Sequence, residues 1–268
     1  MLRAVTTFSL MLITAAAQAE TVQLYAAGSL RAALTEIAKG FEADSRGQHE
    51  VETTFGASGL LRERIEAGAM AHVFASADTG HPKQLAEQGL AATPVLIFAR
   101  NELCALVREG LTVSSETLLD FLLDPKVRLG TSTPKADPSG DYAFALFARA
   151  EALKAGAKAT LEGKALQLTG GPTSAKAPDG RSPYAWLMTS DHADIFLTYC
   201  TNALQAKAEV PTLSIVRIGK ALNVGADYGL IALRNGPAAA EDLVKYILAE
   251  KAQAILLRHG FGPGDLTR

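Results

Sequence analysis

Residues 22–41 read VQLYAAGSLRAALTEIAKGF. The opening 22–26 is apolar and β-favouring and reads as a strand. Leu30, Ala33, Leu34, Ile37, Ala38 and Phe41 then recur at helical spacing, so one face of a helix is apolar. A Gly28-Ser29 step joins the two. A strand passing straight into a core-facing helix is half of a βαβ unit. Working outward, the grammar repeats: strand 49–55, helix 60–67, strand 72–76, and a helix over 82–88 with Pro82 in its first turn. A long apolar run fills 95–107, and Ser114-Ser115 opens a further helix. Strands are read at 127–130, 165–169, 195–200, 213–218 and 228–233. Tyr142, Leu146, Ala150 and Leu153 line one helix face, and one terminal helix carries Leu243, Ile247 and Ile255. Strands alternating with helices predict an α/β chain with largely parallel sheets covered by helices. Residues 170–183 are polar and rich in Pro and Gly, and read as a long surface loop.

The amino terminus, MLRAVTTFSLMLITAAAQA, has one cation at Arg3, a short apolar run and an Ala17-Gln18-Ala19 ending. That is the pattern of a secretory signal peptide over 1–19, cleaved after Ala19. The expected location is therefore the periplasm. With 26 basic and 28 acidic residues the net charge is only −2, and no basic block stands out, which argues against nucleic acid as a partner. Cys104 and Cys200 each sit in an apolar, strand-like run. In an oxidising compartment a disulfide and two buried free thiols are both open readings. The histidines (His49, His72, His81, His192, His259) are scattered, with no metal-ligand spacing, and no cofactor is expected.

Serine recurs where an extended segment becomes a helix: Ser29, Ser58 in FGASGLL, Ser139 in ADPSGDYA and Ser182 in GRSPYAWL. Helix capping accounts for any one of them. Together, with Gly28, Gly56, Gly59 and Gly140 beside them, they suggest helix N-termini converging on one small anion. Such termini offer free N–H groups and a partial positive charge, and glycine lets the backbone approach closely. Neutral dipoles then hold the anion without a cationic side chain. The motifs of hydrolase elbows, phosphate-binding loops and dinucleotide-binding turns are absent. A serine hydrolase would need a base beside its nucleophile, and only His81 and His192 fall near relevant segments.

At LYAAGSLRAAL (24–34), and on through TTFGASGLLRERIEAGAMAHVFASADTGHP (53–82), the chain resembles the periplasmic molybdate-binding proteins of bacterial ABC transporters. The likeness resumes at LGTSTPKADPSGDYAFALF (129–147), ADIFLTYCTNAL (193–204) and AEKAQAILLRHGFG (249–262). The resemblance implies a two-lobed, Venus-flytrap binding protein of type II, with a mixed, mostly parallel sheet in each lobe and an anion in the cleft between them. Lobe 1 would comprise 20–100 plus 205–268, and lobe 2 residues 101–204. By likeness, Ser29 and Ser58 contact the oxyanion from the first lobe. The turn Pro138-Ser139-Gly140-Asp141-Tyr142 presents backbone N–H groups from the second, with another turn near Arg181 and Ser182, and the Tyr199 hydroxyl completes the set. Were the ligand molybdate, these residues would also hold its metal. The implied ligand is molybdate or tungstate, the implied partner an inner-membrane permease, and the expected state a monomer. Asp141, Pro183, Arg181 and the length of 170–180 depart from the family pattern, which leaves another oxyanion or a small organic anion as alternatives.

Overall fold

The computed structural model describes residues 19–265, and the leader expected over 1–19 lies outside them except for Ala19. The chain opens with β1 (Glu20–Ala27), one turn of 3-10 helix (Gly28–Leu30) and α1 (Arg31–Asp44). There follow β2 (His49–Gly56), α2 (Ser58–Glu66), β3 (Val73–Ser76) and α3 (Gly80–Glu87). Helix α1 buries Ala33, Leu34, Ile37, Ala38 and Phe41, the face its spacing predicts. Side chains alternate across β1: Leu24 and Ala26 pack with Leu34 and Ile37, while Tyr25 faces the other way onto Leu61 and Leu85. Helices therefore cover both faces.

The long run 95–107 becomes β4 (Leu96–Val107), and the chain continues with α4 (Leu118–Leu123), β5 (Leu129–Ser132), α5 (Pro138–Leu153), α6 (Ala157–Lys164) and β6 (Leu166–Thr169). Next come α7 (Pro183–Thr189), β7 (Ile195–Tyr199), α8 (Cys200–Glu209), β8 (Ser214–Arg217), β9 (Gly225–Ala232), α9 (Ala238–Leu248), α10 (Glu250–Arg258) and β10 (Gly262–Pro263). The strand order is β2-β1-β3-β9-β4-β7-β5-β6, with β8 and β10 also on β4. β4 joins two sheets: its first half pairs with β9 and β10, and Leu103–Val107 pairs with β7, with β8 on its other side. Each sheet is mixed. β2, β1 and β3 run parallel, as do β6, β5 and β7, and the ladders around β4 and β9 are antiparallel.

Two differences from the sequence reading have physical causes. Residues 205–217, expected with the first lobe, run with the second sheet. β8 hydrogen-bonds to the second half of β4, and Ala203, Ala206 and Leu213 pack with Leu106 and Phe196. The crossing back to the first sheet therefore falls between Arg217 and Gly225. The single terminal helix is two, because Ala249 is extended (ψ 154°). The break leaves the Ile247 carbonyl without a helical partner, and Gln253 Nε2 donates to it at 2.9 Å. Helices α6 and α8 had no separate signal in the sequence reading. The cysteines take the first of their two readings: Cys104 on β4 and Cys200 at the start of α8 form a disulfide.

Candidate functional site

Because β1 and β2 are parallel with Ala27 opposite Gly56, Ser29 and Ser58 stand at the same offset beyond one sheet edge. Ligands of open α/β sheets bind at this carboxyl end. Neither hydroxyl caps its helix. Ser29 Oγ lies 3.0 Å from the Tyr228 hydroxyl, and Ser58 Oγ accepts the Ala77 N–H at 3.1 Å. Both serines are buried.

Bonds across the two sheets bring the second group of residues to the same edge. The Gly59 N–H donates to the Ala136 carbonyl at 2.9 Å, clamping the start of α2 against the turn before α5. Only glycine fits: a Cβ on residue 59 would stand 2.3 Å from the Lys135 carbonyl oxygen. The Tyr199 hydroxyl donates to the Ala77 carbonyl at 3.3 Å, so Ala77 bridges Ser58 and Tyr199. The Tyr199 ring packs between Tyr228 at 5.5 Å and Tyr142 at 6.1 Å. Ser29, Ser58, Tyr199 and the α5 turn are thus joined in one buried assembly.

Within the turn, Asp137 caps α5 by accepting the Ser139 N–H at 3.0 Å, and Pro138 occupies the first helical position. The Gly140 N–H goes to the Asp137 carbonyl at 2.8 Å, and a Cβ there would strike Ser132 O and Pro134 N at 2.6 Å. The Ser139 hydroxyl is buried and has no hydrogen-bond partner. Burial above all pushes the Asp137 carboxyl up to about 6, against the Ser139 N–H and Ser132, which favour the charged form. Burial likewise raises Asp141, Tyr142, Tyr199 and Tyr228. Asp141 accepts the Lys135 N–H at 2.9 Å, and Asp78 accepts the His81 N–H at 3.1 Å in a capping role.

Ser182 stands apart. Its hydroxyl accepts the Ala185 N–H at 3.3 Å and caps α7, while its own N–H donates to Glu209 at 2.7 Å. Arg181 is paired with the same Glu209. Glu209 ends the helix that begins beside Tyr199, about 15 Å of helix away. Of the four serines, only Ser182 caps a helix through its side chain. The His81 ring nitrogens have no hydrogen-bond partner, Nε2 standing 3.8 Å from Asp78, and His192 is exposed against Trp186. Tyr228, Asn101 and Asp137 belong to the assembly but were not singled out from sequence. Only Asp137 carried a local signal, an Asp-Pro pair opening a helix. A separate open cavity of about 320 Å³ lies beside the turn, lined by Thr133, Leu168, Gly171, Ser174, Leu187 and His192 among others.

Known proteins agree with this architecture. An uncharacterised protein of Pasteurella multocida is 36% identical over 92% of this chain and all of its own. A Mycobacterium bovis protein named molybdate-binding protein ModA is 26% identical over 91% of this chain and 85% of its own. Among solved structures, the Azotobacter vinelandii periplasmic molybdate-binding protein superposes with a TM-score of 0.71 at 21% identity, covering 90% of this chain and 98% of that one. The sulfate-binding protein SubI of Mycobacterium tuberculosis gives 0.72 at 16% identity, covering 92% and 88%. The family described as bacterial extracellular solute-binding protein matches residues 22–262, and this chain belongs to it.

Proposed function

We propose that this chain captures a small tetrahedral oxyanion, molybdate or tungstate first, between its two lobes and delivers it to an ABC importer. The observation that carries the reading is the set of hydroxyls at Ser29, Ser58, Ser139 and Tyr199, none of them used to cap a helix, where the bonds from Tyr199 to Ala77 and from Gly59 to Ala136 cross between the sheets. Hydroxyl donors in a buried setting hold an anion whose oxygens each find a partner. Arg181, the cation that departed from the family pattern, is occupied by Glu209, so the site works through neutral donors. The 26% likeness to a molybdate-binding protein supports the choice of ion. On this reading the leader is removed, the mature chain acts as a periplasmic monomer, and no reaction is catalysed.

Thermal unfolding of the ligand-free protein against molybdate, tungstate, sulfate and phosphate tests it, since a ligand of the folded state raises the midpoint by mass action. A large shift with molybdate and tungstate, and little with phosphate, is the expected result. A second reading, a small organic anion, draws on the cavity beside the turn, which would house a carbon tail. Shifts absent for all the inorganic ions and present for organic phosphates or carboxylates would favour it.

A further inference from the structure

Asn101 lies on β4 where the strand passes from one sheet to the other. Its orientation is fixed by the backbone: the Glu102 N–H donates to Asn101 Oδ1 at 2.9 Å, so the other end of the amide is the NH2. That group has hydrogens only. It donates to Thr201 Oγ1 at 2.9 Å and to the Tyr228 hydroxyl oxygen at 3.2 Å. Tyr228 is fully buried, Thr201 and Asn101 nearly so. The Tyr228 hydrogen therefore cannot go to Asn101. Its one other partner is Ser29 Oγ, at 3.0 Å. Were Ser29 the donor instead, the buried phenol hydrogen would be left unmade, which is costly. Direction thus propagates from the Glu102 main chain through Asn101 and Tyr228 to Ser29, whose own hydrogen is left to point into the cleft.

We propose that Asn101 and Tyr228 are positioning residues that fix the Ser29 hydroxyl as a hydrogen-bond donor, so that the site favours an unprotonated oxyanion oxygen at that position over one carrying a proton. The inference rests on the assignment of Ser29 to the ligand site. An ionised oxygen accepts such a bond more strongly than a neutral O–H oxygen does. A hydroxyl free to rotate would serve either, so the discrimination comes from the relay rather than from the serine alone. Asn101 also ties β9 to α8 across the sheet junction.

The test is a titration of molybdate, sulfate and inorganic phosphate against the wild type, Tyr228→Phe, Ser29→Ala and the double variant. Tyr228→Phe keeps the ring and removes the donor. Molybdate and sulfate affinity should fall by about tenfold, phosphate affinity should change less, and in the Ser29→Ala background Tyr228→Phe should cost nothing further. Asn101→Leu, which leaves the phenol in place, should shift the molybdate-to-phosphate ratio the same way by a smaller factor. Equal losses for all three ions, or a full loss from Tyr228→Phe when Ser29 is already alanine, overturn the inference while leaving the ligand assignment standing. A wild type that binds none of the ions, or a Ser29→Ala variant that binds as tightly as the wild type, overturns the assignment and the inference with it.

Discussion

Asp137 spends its carboxylate on the Ser139 N–H, so the donor a bound anion would seek at the start of α5 is held by the chain's own negative charge. Asparagine keeps the capping oxygen and drops the charge. The folded carboxyl is raised from 3.8 to about 6, so its contribution to stability is present below the ordinary value and is lost as pH rises through about 6. Asp137→Asn should therefore gain stability near neutrality and little near the acid end of that window, and should bind molybdate more tightly. Denaturant unfolding at the two pH values checks this, and an equal gain at both sinks it. Serines divide in the same way. Ser29→Ala and Ser58→Ala should each weaken anion binding by about 1–3 kcal/mol. Ser182→Ala should leave affinity unchanged and cost about 1 kcal/mol of stability through the lost α7 cap. Calorimetric titration beside thermal unfolding separates the two effects.

Among the elements, the Cys104–Cys200 bridge fastens the second half of β4 to the start of α8, the residue after Tyr199. The cysteines are 96 residues apart, and constraint of an unfolded loop of that size contributes about 4–5 kcal/mol in the chain-entropy account. Replacing both by serine should lower the unfolding free energy by about 2–5 kcal/mol, the chain-entropy value being the upper end, read as the denaturant midpoint, and an unmoved midpoint would mean β4 and α8 hold each other without it. Elements with a strong local period were legible in the sequence: α1 buries the residues its spacing names, and β2 begins at His49 as read. What the sequence hid depends on distant partners. The pairing of β8 with β4 is one case, and the break at Ala249 is another, where Leu248 to Ala252 would suit a continuous helix. The site divides likewise. Ser29 and Ser58 were legible because the strand-serine-helix order repeats. Tyr228 was not, since its partners Ser29 and Asn101 lie 199 and 127 residues away. Ser182 shares the local signal of the other serines, and only the partner of its hydroxyl, the Ala185 N–H, sets it apart.

Over the whole molecule, the two sheets share β4 and also touch at the Gly59 N–H and the Ala136 carbonyl, where no side chain fits on residue 59. Gly59→Ala places a methyl group against the Lys135 and Ala136 carbonyls. The first sheet should fold as before, because the obstruction comes only from the other half. Closure should fail, molybdate affinity should fall by at least about tenfold, and small-angle scattering with ligand should give a wider particle than the wild type. Tight binding by Gly59→Ala with a compact particle would show that this contact is dispensable for capture.

The strand order carries a further consequence, for the timing of folding. β9, residues 225–232, lies between β3 and β4 and, among the described residues, is the one strand that links them in the first sheet. When ribosome or translocation pore has released the first two hundred residues, that sheet is still two separated pieces, each with an unsatisfied edge. The chain is thus a late folder by architecture: its amino-terminal third waits, unable to finish, for a strand made near the end.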